Sequence, residues 1–146
     1  MRRRPGQVAL MFLVLFPALW FVVLLPFSYG WTAAARAVVQ SAADASALGC
    51  ASQAEVTELT DVRGAVYQRT VAVDPTAGPQ AAATWWQRSM LQAGFSGLSL
   101  HQWTVDISGA VCVVQVQTNL TPPAGSLFAA FAHVTAGAAA RALVPS

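Results

Sequence analysis

The chain has 146 residues, of which 55% are hydrophobic and only 10% charged, far below the roughly 25% charge of ordinary soluble domains. That length allows about one compact domain beside one further segment. Arg2, Arg3 and Arg4 account for three of the eight basic residues. Beyond them six acids outnumber the remaining arginines, so no basic surface suited to nucleic acid is present.

From Val8 to Tyr29 the chain carries no charge: VALMFLVLFPALWFVVLLPFSY. A helix of about 22 residues spans ~33 Å, enough for a hydrocarbon core of ~30 Å. The spacing predicts a transmembrane helix over residues 8–29, with membrane lipid as its first partner. Pro17 and Pro26 fall inside it, a tolerated arrangement in lipid that predicts bends at both. Arg2 to Arg4 precede the span and only Arg36 follows closely. The excess of arginine places residues 1–7 in the cytoplasm and the rest of the chain outside, in a single pass through the cytoplasmic membrane. Tyr29 and Trp31 suit the far interface. The competing reading is a cleaved signal peptide with Ala33-Ala34-Ala35 as its small-residue site. Against it, the apolar run exceeds the usual 7–15 residues and the alanines lie beyond its end.

Residues 30–49 contain strong helix formers and no proline, and Gly49 suits a helix C-terminus. Arg36, Gln40 and Asp44 make a polar stripe, and Trp31, Ala35, Val38, Ala42 and Ala45 an opposing face of small residues. The membrane helix is expected to continue through this stretch and lie on an outer domain of residues 50–146. An alanine-rich stalk is the plainer alternative.

Between Cys50 and Pro79 the pattern is weak. Val66 to Val73 is β-branched enough for a short strand, and Asp74-Pro75 starts a turn. The acids Glu55, Glu58 and Asp61 form either a solvated face or, less simply, a metal cluster. Gln80 to Ala93 reads as a helix, with Pro79 in its first turn and Gly94 at its end. It places Ala82, Trp85, Trp86, Ser89 and Met90 on one side. The Trp pair reads as one core residue and one edge residue, with a ligand platform as the alternative. Residues 102–107 and 110–118 alternate as strands around a Ser108-Gly109 turn, an antiparallel hairpin. Residues 119–126 read as a loop.

The two cysteines, Cys50 and Cys112, lack a CxxC spacing. The inferred topology puts both where disulfides persist. A bridge would tie the helix end to the sheet and contribute roughly 4 kcal/mol. Two free thiols or a metal pair are the alternatives. Around His101 and His133 there is no nucleophile elbow, HExxH, P-loop or dinucleotide turn. No catalytic residue, cofactor or metal is assigned.

The opening GQVALMFLVLFP, with Gly6, Gln7, Ala9, Phe12 and Pro17 in register, resembles the start of the TadE/TadG-like family of Flp (Tad) pilus assembly. The segment Gln40-Ser41-Ala42-Ala43-Asp44-Ala45-Ser46-Ala47-Leu48 is similar to the stretch that closes the family's long first helix. Together they cover the first third of the chain. The resemblance implies an α+β, pilin-like fold: a long N-terminal transmembrane helix continuing into an outer helix, packed on a small antiparallel sheet with one further helix. It implies a last edge strand over 133–143, although the alanines there equally permit helix. It also implies a bacterial source, which makes the Asn119-Leu120-Thr121 sequon a chance match. In TadE-type members a prepilin peptidase cuts after the glycine, which would make Gly6 and Gln7 the processing position. Those members carry glutamate fifth in the mature chain, where Met11 stands here, so the anchored TadG-like members are the nearer comparison. The implied role is a non-enzymatic, membrane-anchored minor pseudopilin-like component of a Flp/Tad pilus or related secretion apparatus. Its helix, with packing positions Pro17, Val38, Ala42 and Ala45, would meet other pilus-assembly or pseudopilin subunits. A secreted binding domain released by signal peptidase and an envelope-anchored enzyme are the alternatives.

Overall fold

The computed structural model describes residues 5–94, 97–121 and 133–142, with the backbone alone at 5–9, 25, 28 and 67. It is an α+β chain in which a long apolar helix precedes antiparallel sheets and a second helix. The chain divides into two compact units, Met1–Ala34 and Ala35–Ser146.

Helix α1 (Pro5–Ala51) runs unbroken through Pro17 and Pro26. In the first unit none of the described side chains from Leu10 to Ala34 is buried. Phe16 and Trp20, one turn apart, meet edge to face at 6.4 Å.

In the second unit α1 has a buried stripe of Ala35, Val39, Ala42, Ala43, Ser46, Ala47 and Cys50. It is therefore packed and not a free stalk. The helix does not stop at Gly49. It ends at Ala51, where the Ser52 hydroxyl donates to the Gly49 carbonyl at 2.7 Å. Gly49 keeps negative φ, so its backbone freedom is not used. Its role is clearance, because a Cβ there would lie within 2.7 Å of Trp85 Cγ and Nε1.

Two sheets follow. Strands β1 (Ala54–Thr60) and β2 (Val66–Val73) form an antiparallel ribbon. Strand β1 had no signature in the sequence. Nearly every described side chain of the ribbon is exposed, so it shows no buried face and no alternation. Its base is held by Val73 N–H donating to the Gly109 carbonyl at 2.9 Å and Asp74 N–H to the Gln53 carbonyl at 3.1 Å.

The second sheet has the order β3-β4-β5, from Leu98–Ser108, Val111–Leu120 and His133–Arg141, all antiparallel. Gly109 opens the β3–β4 turn with φ 58°, the sign a type II′ hairpin loop requires at its first position. Strand β4 alternates cleanly: Cys112, Val114, Val116, Thr118 and Leu120 are buried, and the residues between them are not. Asn119 and Leu120 belong to β4 and not to a loop, because Asn119 pairs with His133 across the ladder. Residues 122–126 of the expected loop, and residue 143 of the expected last strand, lie outside the described residues. The alanine-rich end forms the edge strand β5, since β4 offers it a nine-residue ladder.

Helix α2 (Ala77–Ala93) begins three residues before the expected Gln80. Asp74 explains the earlier start. Its Oδ1 accepts from Thr76 N at 2.7 Å, Thr76 Oγ1 at 2.7 Å and Ala77 N at 3.0 Å, satisfying donors that the first turn leaves unpaired. These bonds hold the Asp74 carboxyl below its usual pKa, the Thr76 hydroxyl having the largest effect. Gly94, at φ 58°, ends the helix in the left-handed region.

Candidate functional site

The segment able to meet a membrane is the first part of α1. From Leu10 onward the helix is long and apolar enough to cross a bilayer, and none of its most apolar window is buried within the protein. A row of large side chains including Phe12, Leu13, Phe16, Trp20 and Phe21 stands more than half exposed. In water such a surface would be costly at about 25 cal/mol per Å²; in lipid it is matched. Gly6 and Gln7 lie in the first turns of α1, and Met11 is exposed on it. Arg2 to Arg4 lie outside the described residues.

The second unit is locked at one junction. Cys50, in the last turn of α1, is bonded to Cys112 at the start of β4, with Cα atoms 6.2 Å apart and both residues fully buried. The elements converge here because Gly78 of α2 has no side chain. A Cβ at Gly78 would lie 2.8 Å from Val73 Cγ1 and 3.2 Å from both Cys50 Sγ and Ile107 Cδ1. Neither Gly78 nor Gly49 stands out in the sequence as a clearance glycine, the first lying between Asp74-Pro75 and Pro79 and the second at an expected helix end. Of the helix positions picked out for packing, Pro17 is exposed, Ala42 lies in the buried stripe, and Val38 and Ala45 border it half-buried. Gln40 reaches the sheet edge, its Nε2 donating to the Gly137 carbonyl at 3.0 Å and to Asp44 Oδ1 at 3.1 Å.

The remaining candidates do not assemble. Glu58 pairs with Arg69 across the ribbon at 2.8 Å, and Asp61 Oδ1 accepts from its neighbour's Val62 N–H. Among the described residues no three His, Cys, Asp or Glu side chains are grouped to hold a metal. His101 is the unpaired residue at a bulge in β3, and His133 Nδ1 lies 2.7 Å from Asn119 Oδ1. Trp86 is buried against Trp103 at 5.4 Å, whereas Trp85 is 42% exposed with the Arg88 guanidinium over its ring at 5.3 Å. The pair thus divides into a core residue and an edge residue.

The fold and junction define a class: a chain with one N-terminal apolar helix suited to a single membrane anchor, followed by a disulfide-locked α+β unit. Residues 6–53 match the family model of putative Flp pilus-assembly TadE/G-like proteins. The match begins one residue into α1 and ends two residues after it, so it covers the helix and none of the sheets. No curated protein and no solved structure matches the chain.

Proposed function

We propose that the chain is a non-catalytic, membrane-anchored subunit of a Flp/Tad pilus or related secretion apparatus, acting as a minor pseudopilin-like component. The observation that carries this reading is the coincidence of the TadE/G-like match at residues 6–53 with a helix whose first part is apolar and unburied. Residues 8–29 form the anchor, residues 1–7 stay in the cytoplasm, and residues 30–49 extend the helix to an outer domain of residues 50–146. Two features support that orientation: the arginines at 2–4 and the Cys50–Cys112 bond, which favours an oxidising compartment. The helix would meet other subunits through its exposed apolar face, Pro17 included, since Ala42 is buried within the second unit and Val38 and Ala45 border that buried stripe. Without a glutamate at Met11 to neutralise a neighbour's terminal amine, the role is anchoring and not filament core.

The test is the intact mass and N-terminal residue of the protein recovered from membranes, together with protease protection in sealed spheroplasts. A chain starting at Met1, whose outer domain is digested from outside, is the expected result. A start at Gln7 would show prepilin-type processing and return the chain to the filament subunits. A soluble product starting near Arg36 would sink the anchor reading. Photo-crosslinking from Phe16, which is exposed on α1, in cells that assemble the pilus is expected to capture other subunits of the apparatus.

A further inference from the structure

The face of the β3-β4-β5 sheet turned away from the buried β4 row carries a cleft of about 420 Å³. The ladder register builds it. Thr104, Gln115 and Gly137 stand side by side across the three strands, and Gln117 stands beside Thr135. Gln40 of α1 closes the β5 side, held by its bonds to the Gly137 carbonyl and Asp44. Gly137 leaves the floor as bare backbone between these side chains.

The chemistry of this lining is selective. Among the described residues it contains four glutamine amides, two threonine hydroxyls, Val116, Ala136 and Gly137, and no ionisable side chain. An anion or cation would find no counter-charge in it. An apolar ligand would strip water from the amides and give no hydrogen bond in return. Each amide offers both donors and acceptors, and each hydroxyl is both at once, which is the complement of a ligand dense in hydroxyl groups. A sugar ring has such an edge, and its C–H face can lie on a floor without side chains. We propose that this cleft binds an uncharged oligosaccharide, with Gln115 and Gln117 taking the hydroxyls and Gly137 seating the ring. The inference does not depend on the anchoring role.

The test uses the full chain in phospholipid nanodiscs, which avoids sugar-headed detergents. Titration calorimetry is run with maltotetraose and chitotetraose as neutral probes and trigalacturonate as the charged one. At least one neutral probe is expected to bind, and trigalacturonate is not. Gln115→Ala is expected to weaken binding about tenfold or more, and Gly137→Leu to abolish it. The Gly137 variant should fold, because the nearest atom a Cβ there meets is the Val114 carbonyl oxygen at 3.9 Å. Should it fail to fold, Gln115→Ala at an exposed position still decides. Failure of both neutral probes to bind at millimolar concentration, binding unchanged by Gln115→Ala, or equal binding of trigalacturonate would each overturn the proposal.

Discussion

The Trp85 indole lies directly against the backbone of Gly49, closely enough that no β-carbon fits between them. This contact joins the last turns of α1 to α2 and determines why glycine occupies a helical position. Two effects oppose each other when alanine replaces it. Helix propensity gains about 1 kcal/mol, and overpacking costs about 1–3 kcal/mol. Because the clash falls on the ring's Cγ as well as its outer atoms, Trp85 must leave its site, and the Arg88 stack goes with it. Gly49→Ala is therefore expected to destabilise the second unit by about 1 kcal/mol and to red-shift tryptophan emission. In a Trp85→Ala background the same substitution should become stabilising. A double-mutant cycle on thermal unfolding checks the reversal of sign; no change of sign would mean that Gly49 is not there for clearance.

The two adjacent tryptophans should respond unequally to truncation. Trp86 is 7% exposed and packs on Trp103, so Trp86→Ala leaves a large cavity and should cost about 3–5 kcal/mol. Trp85 is partly solvated, and Trp85→Ala should cost about 1 kcal/mol. Denaturant midpoints of the two variants give the comparison. Equal costs would contradict the division into core and edge.

What could be read from the sequence follows from where a period was unambiguous. The apolar helix and the β3–β4 hairpin have strong patterns, and both are present, the hairpin with strands a few residues longer than the alternation shows. The part of α1 after Ala34 has no such single period. With alanine at Ala35, Ala37, Ala42, Ala43, Ala45 and Ala47, several faces are nearly equivalent in hydrophobicity, and the buried stripe runs through Val39 and Ser46 where the sequence favoured Val38 and Ala45. Ser46 can be buried because its hydroxyl donates to the Ala42 carbonyl at 2.6 Å, a bond no hydropathy pattern records. Strand β1 has no apolar alternation to read, because nearly all of the ribbon's described side chains are exposed. Gly49 resembles a stop because it stands near a helix end, and only the position of Trp85 tells clearance from termination. The cleft at Gly137 depends on cross-strand register, which a single strand's sequence does not specify.

Asp74 gives the second unit an acid-sensitive element. Its carboxylate is held by the Thr76 hydroxyl and the Thr76 and Ala77 amides, which lower its pKa in the folded state. A carboxyl lowered below its unfolded value of about 3.9 contributes stability that is present above that pH. The contribution is lost as pH falls through the folded value, because the protonated form must be accommodated. Thermal midpoints should therefore fall on acidification below about pH 4, in part through this group. Asp74→Ala should lower the midpoint by a few degrees at neutral pH and flatten that part of the acid slope. A variant with the parent's full acid slope would show that Asp74 does not supply it.

The Cys50–Cys112 bond encloses a long stretch of chain, the two residues being 62 apart in sequence. In chain-entropy terms a loop of that size confines the unfolded ensemble by roughly 4 kcal/mol, a large fraction of the 5–15 kcal/mol typical of whole domains. The bond is wholly buried among α1, α2, β2 and β4, so reductant reaches it only when the unit opens. Slow reduction under native conditions is expected, with a mass gain of two hydrogens appearing only after heating or denaturant. Once reduced, the second unit should unfold at a midpoint lowered by well over ten degrees, given about 4 kcal/mol and a domain of about 100 residues. The apolar helix before Ala34 lies in the other compact unit and should keep its helical signal in lipid. Intact mass under graded reductant, read beside near- and far-UV circular dichroism, separates the two responses. Rapid reduction of the native protein, or an unchanged midpoint after reduction, would remove the bond from its place as the lock of the second unit.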